Sequence, residues 1–490
     1  MRKSILLAAL VCSSLFVSCG SDDPTPAPPL VTGEFVININ SDNTNDQNAA
    51  VTANGNKLQI DNVVYMLSSN GYASCAGYAD RGTSSNVKVY AQIIYNKKTY
   101  NVQTVENFTG SNIKSIVIPD GIVEIGAYCF DACKRLTSAT LPKNVDKFGV
   151  KCFRDCENLE SVTLPENIDK ITSFTFANCL KLKNITIPNS VTAIGDSTFF
   201  HCTSLETVSI PASVKVLGTS CFQSCKKLEN AFLSEGLDSI GSYVFADCAS
   251  LISANIPSTL KELPAYTFLG CANLETVTLP NGIKKLGTNC FYNCEKLTKI
   301  NLPEGLTTIS GACFVHCSAL KHIEVPSTIT GLAPQTFMIC SSLESIVLPE
   351  RLDSIGGYCF HMCESLKAIN IPYGINNLGD FTFGGCTSLS SIVIPEGVTS
   401  LGEFCFSGCQ GLRDVTLPST IENISKNCFE KNTVLSSMTC KATELPTLGA
   451  TIFDECPNIK NGTLRVPQSA FDAYSKAPQW TDWGSIITIE

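Results

Sequence analysis

The chain has 490 residues, with 35 Lys and Arg against 44 Asp and Glu and a formal charge of −9 at neutral pH. That balance argues against a nucleic-acid partner, which needs a basic face for the phosphates, and the two signs are interspersed as on an ordinary solvated surface. Twenty-six cysteines pose the first question, because in an exported chain they normally predict a disulfide framework.

Export is what the first residues predict. Arg2 and Lys3 precede an apolar run from Ile5 to Val17 that is too short to cross a bilayer and ends in small residues. It closes on Phe16-Val17-Ser18-Cys19, which resembles a bacterial lipoprotein cleavage site. The resemblance implies that residues 1–18 are removed and that Cys19 carries the lipid, the chain's only attachment to a membrane. Gly20-Ser21-Asp22-Asp23 is similar to the acidic signal that sends some Gram-negative lipoproteins to the outer cell surface. Residues 19–30, with Pro24, Pro26, Pro28 and Pro29, read as a stiff, extended tether. No later segment is long and apolar enough for a membrane helix.

From Pro119 to Pro418 the chain then repeats every 23 residues, fourteen times, with Ser234 the one position in that column that is not proline. No residue is inserted or lost. A fixed period of this length predicts stacked supersecondary units, a solenoid whose rungs touch mainly their neighbours. In Leu274 to Lys296, the alternation Leu274, Val277, Leu279 predicts a strand with aliphatic side chains on one face. Pro280 ends it, because proline has no N–H for a ladder. Ile283, Leu286 and Gly287 turn the chain, and Cys290-Phe291-x-x-Cys294 closes the rung in a helical or 3-10 turn. A lone rung would leave its faces open to water, so the array folds through its interfaces and needs a cap at each end.

The cysteines follow the same period. Thirteen share one column: Cys133, Cys156, Cys179, Cys202, Cys225, Cys248, Cys271, Cys294, Cys317, Cys340, Cys363, Cys386 and Cys409. Eight more stand four residues earlier, in a column that otherwise holds threonine or valine, as at Thr175, Thr267 and Val244. Small side chains alone at that column mean packing, and a buried free cysteine behaves as a small hydrophobe. Parallel Cβ vectors on successive rungs do not suit a disulfide, and ligands spread along an axis cannot converge on a metal. No metal and no cofactor are expected. Cys75, Cys440 and Cys456 lie outside the columns, where a local disulfide is an open alternative.

The pattern Leu-x-x-Ile-x-Ile-Pro-x-x-Val-x-x-Ile-Gly-x-x-x-Phe-x-x-Cys, as in Leu182 to Cys202, resembles the BspA-like leucine-rich-repeat family of bacterial surface proteins. Residues Ile60 to Leu67 and Tyr95 to Val102 resemble its N-terminal β segment; Leu464 to Pro467, Tyr474, Trp480 and Trp483 resemble its closing cap. The resemblance implies a leucine-rich-repeat solenoid with a parallel β-sheet on the concave face and turns behind. It divides the chain into a β-rich cap over 31–112, fourteen repeats over 113–435 and a C-terminal cap over 436–490. It also implies display on the cell surface at the outer membrane and adhesion to an extracellular protein, a glycan or another cell, without catalytic residues to transfer.

No catalytic constellation appears. His201, His316 and His361 sit beside column cysteines and His322 on a strand. Two rows remain as candidate binding surfaces. The outward strand positions are mostly Thr, Ser and Asn, which suits a solvated sheet or a polar docking face; Phe232 is the aromatic exception. Two residues before each repeat phenylalanine, a second row is aromatic at seven rungs, with Tyr358, Phe381 and Phe404 consecutive. Such a stack either docks a sugar or protein or shields the back of the core. Binding of a host or bacterial macromolecule leads, with an envelope-structural role and polysaccharide capture as alternatives.

Overall fold

A computed structural model describes residues 35–40, 43, 45–80 and 85–489. Cys19 and the tether lie outside these residues. The array is a parallel β-solenoid. The first strand of a rung, such as Thr276–Thr278, buries its middle residue and exposes the flanking two. Thr276 lies against Lys299 of the next rung, a shift of one repeat.

The Ile-x-x-Leu-Gly segment does more than turn the chain. It adds a second strand of two residues, such as Lys285–Leu286, which pairs in parallel with Thr308–Ile309. Two residues carry too little alternation to announce a strand. The back of the rung is built from turns, and regular helix among the described residues is confined to the C-terminal cap. Its hydrogen bonds alternate. The amides of Asn289, Phe291 and Asn293 donate to Gly311, Cys313 and Val315 of the next rung, while those of Tyr292 and Cys294 close turns onto Asn289 and Phe291. Asn289 and Asn293 have φ of 54° and 57°. A left-handed residue at these two columns aims every second amide along the solenoid axis, which an α-helix would not do. Neighbouring rungs are therefore joined through the turn as well as along the two ladders, which run in blocks of two to five strands.

Inside, the repeat phenylalanines form one continuous stack. From Phe153 to Phe429 successive ring centroids are 5.2–5.8 Å apart with planes within 13°. The order continues past the 23-residue array at other spacings. Phe108 lies tilted 5.5 Å from Phe130, and Phe453 stacks 5.9 Å from Phe429. Asn86–Lys88 pairs with Ser115–Val117 at one end; at the other, Ser437–Cys440 pairs with Thr463–Pro467, which pairs with Ser485–Ile489. Trp480 and Trp483 then stand edge-on to Phe453 at 6.0 and 5.7 Å, closing the core with the buried Tyr474. The N-terminal cap is an antiparallel meander from Val51 to Tyr78, joined by the Gln92–Tyr95 and Lys98–Val105 hairpin. Among the described residues no helix is long and apolar enough to cross a membrane.

Candidate binding surfaces

All 24 described cysteines are free and buried, Cys75, Cys440 and Cys456 among them. The thirteen-member column does more than pack. Each Sγ donates to the carbonyl of the phenylalanine one rung back: Cys156 to Phe130 at 3.1 Å, Cys294 to Phe268 at 3.3 Å, Cys317 to Phe291 at 3.2 Å, Cys409 to Phe383 at 3.1 Å. The fourteenth rung carries Asn432, whose Nδ2 donates to Phe406 O at 3.0 Å. The column selects a buried donor, and Asn432 is the signal that small size alone misses. In the earlier column, Thr267 and Thr336 instead donate to carbonyls three residues before, 2.7 and 2.6 Å away. Burial pushes the Cys202 and Cys340 thiols up to about 12, so a reactive thiolate does not form near neutral pH.

The aromatic row occupies the first left-handed column. Tyr358, Phe381 and Phe404 have φ of 59°, 51° and 55°, a conformation that disfavours bulky side chains. The structure brings these three together: Tyr358 stacks on Phe381 at 4.8 Å, and Phe381 on Phe404 at 4.7 Å. Tyr243 and Tyr266 pair likewise at 4.3 Å. At the first rungs Lys151 Nζ lies between Tyr128 and Phe174, 5.3 and 5.2 Å from their centroids. Ring faces are thus turned to one another or to a cation, and the stack offers mainly ring edges to solvent. Tyr128 and Phe174 are exposed, whereas Tyr358, Phe381 and Phe404 are half-buried, so this row covers the core in part as well as facing water.

Phe232 is not part of that cluster. It lies on the outward face of the Asn230–Leu233 strand with 59 % of its surface exposed. Val347 and Val393 occupy the same column on other rungs, 58 % and 63 % exposed. Next to Phe232 the ladder to the following rung stops at Ala231 and Ala254. The Asn255 side chain takes over, its Nδ2 donating to Leu233 O at 2.8 Å.

The histidines are held apart by neighbours of their own. His201 and His316 bond to Asn178 and Asn293 at 3.1 and 2.9 Å, and His322 to Ser345 at 2.8 Å. His361 stands edge-on to Tyr358 and Phe381, and burial lowers its pKa. One carboxylate group, Glu430, Asp454 and Glu455, comes within 4.8 Å, and Lys431 pairs with Glu430 at 2.8 Å and Glu455 at 3.8 Å.

Two parallel ladders, a phenylalanine spine and a leucine in every array rung after the first define a leucine-rich-repeat protein. A family model described as BspA type leucine rich repeat region matches residues 102–229, 148–273, 221–343, 261–389 and 331–460. The chain belongs to that family. A leucine-rich repeat protein from Bacteroides ovatus ATCC 8483 shares 26 % identity and a TM-score of 0.63, with 88 % of this chain and 99 % of that one covered. A leucine rich cell surface protein from Faecalibacterium prausnitzii A2-165 shares 24 % identity at a TM-score of 0.42, covering 80 % and 94 %. No curated protein matches the chain.

Proposed function

We propose that the chain is a noncatalytic surface lipoprotein, anchored in the outer membrane through Cys19, whose solenoid captures an extracellular macromolecule. The observation that carries this reading is the exposed apolar set Phe232, Val347 and Val393 on a mostly polar strand face. Side chains there contribute nothing to the core and stand where a partner would bury them. Tyr358, Phe381 and Phe404 supply a second candidate contact. Because their faces are stacked, they suit the apolar side chains of a protein better than a sugar, which needs an open ring face.

The test is an array of glycans and extracellular-matrix proteins probed with the purified chain. Changing Tyr358, Phe381 and Phe404 together to serine, the residue at Ser197 and Ser220 in the same column, should weaken capture by about tenfold or more. Thermal stability should move little, since the lost stacking of about 1 kcal/mol per pair is partly offset by relief of the left-handed backbone. A large fall in melting temperature would instead assign the three rings to the core.

The anchor is tested separately. Cys19→Ala should release the protein from membranes or block its maturation. Unchanged partition into the detergent phase would refute lipidation at Cys19.

A further inference from the structure

The surroundings of Phe232 differ from the rest of the array in charge as well as in shape. One residue before the first strand, successive rungs carry Glu206, Glu229, Ile252 and Glu275, all exposed, with Ile252 at 44 %. The ladder sets Asn230 against Ser253 and Ser209 against Phe232, so Ile252 lies beside Glu229 one rung on. Phe232 and Ile252, three strand positions apart in register on adjacent rungs, therefore share this stretch of surface with three carboxylates in the Ile252 column. At four other places an acid is paired with a base one rung on: Glu124 with Lys147, Glu262 with Lys285, Glu344 with Lys367, Glu403 with Lys426. Among the described residues none of Glu206, Glu229 and Glu275 has such a pair. Lys183 precedes Glu206 by one rung, and Lys226 and Lys227 sit on the turn before Leu228; none is ion-paired with the three carboxylates. Like charges on adjacent rungs repel at the roughly 5 Å ladder spacing. A cation supplied by a partner would relieve that repulsion.

We propose that Phe232 and Ile252, with Glu206, Glu229 and Glu275, form a docking site for a polypeptide segment presenting an apolar side chain flanked by lysine or arginine. This rests on the reading of the chain as a binding scaffold and adds the chemistry of the partner. Phe232 supplies the apolar contact on the open face. The carboxylates set the register of the flanking cations and speed their approach. The Asn255 clamp on Leu233 holds the strand in place where the regular ladder lapses, so the face is preformed.

The full-length chain is titrated by fluorescence anisotropy with three short labelled peptides: leucine between lysines, leucine between glutamates, and serine between lysines. The leucine–lysine peptide should bind about tenfold more tightly than either control, with an affinity that falls as salt rises. Two variants should each weaken it about tenfold: Phe232→Thr, which installs the residue found at Thr278 in this column, and the triple Glu206→Gln, Glu229→Gln, Glu275→Gln. All these positions are exposed, and thermal unfolding of both variants should match the parent. Equal affinity for the lysine and glutamate peptides overturns the proposal. So does tight leucine–lysine binding that neither variant weakens; the scaffold reading then survives with its site elsewhere. Failure of all three peptides overturns the cationic partner, and the glycan and matrix array judges the scaffold reading independently. Self-association lost in Phe232→Thr would replace the proposed partner with a second copy of the chain.

Discussion

Between about pH 9 and about pH 12 the folded array will unfold as its buried thiols ionise. The cause is the buried thiols. Cys202, Cys340 and Cys359 rise from the ordinary 9.0 to about 12 because burial disfavours the thiolate, and Cys179, Cys294 and Cys317 are displaced in the same direction. In the unfolded chain these groups ionise near 9. A group whose folded pKa is raised leaves stability intact below the unfolded value, and stability is lost as pH climbs toward the folded one. The window is therefore 9 to 12 for the first three. Each such thiol favours the unfolded state by about 1.4 kcal/mol one pH unit above 9, so three alone remove about 4 kcal/mol, a large part of the stability of a typical domain. Circular dichroism against pH gives the midpoint. Replacing Cys290, Cys313 and Cys359 with threonine, which Thr267, Thr336 and Thr382 already place in that column, should raise it. A fold that persists unchanged above about pH 11 would contradict the argument.

The second large effect concerns the spine. Phe291 is fully buried and stacks 5.5 Å from Phe268 and 5.4 Å from Phe314. Phe291→Ala should cost about 3–5 kcal/mol, because the neighbouring rungs, fixed by their ladders, cannot close around the void. Coupling between rungs is nearest-neighbour, so the damage should separate the array into two cooperative blocks. Hydrogen exchange would show accelerated opening on both sides of the substituted rung. Deleting Leu274 to Lys296 as a whole should be milder, since the register of 23 residues joins the remaining rungs without a defect. A deletion far more damaging than the point change would count against the repeat as the unit of folding.

Period, inward side chains and class of fold were all legible in the chain, because an unbroken spacing leaves little freedom in how the rungs register. The strand of Thr276–Thr278 follows from alternation and the proline after it. The two-residue strand at Lys285–Leu286 did not announce itself, since its pairing comes from the neighbour above. The left-handed columns did leave a trace: Asn178, Asn289, Asn293, Asp155, Asp247, Gly270 and Gly385 gather there, the residue types that tolerate positive φ. Their meaning needed the hydrogen bonds that run between rungs. Asn432 likewise looked like a lapse in the cysteine column until its bond to Phe406 gave both residues one role. At the surface, the stack of Tyr358, Phe381 and Phe404 was expected from spacing, but which parts of the rings meet solvent depends on their tilt. The unpaired glutamates beside Phe232 were hidden by scattered lysines that sequence alone cannot assign to partners.

The strands lie across the long axis of the solenoid, and the bonds between rungs lie along it. A pull between the two caps therefore meets the interfaces in series, and the load falls in turn on the weakest rung still seated. A rung takes up about 5 Å of axis when stacked and about 75 Å when its 23 residues are drawn straight. Each release lengthens the molecule roughly fifteenfold over the distance that rung had spanned, while the others keep their shape. Such an array should yield in steps, and the length released at each step limits the tension that both ends bear.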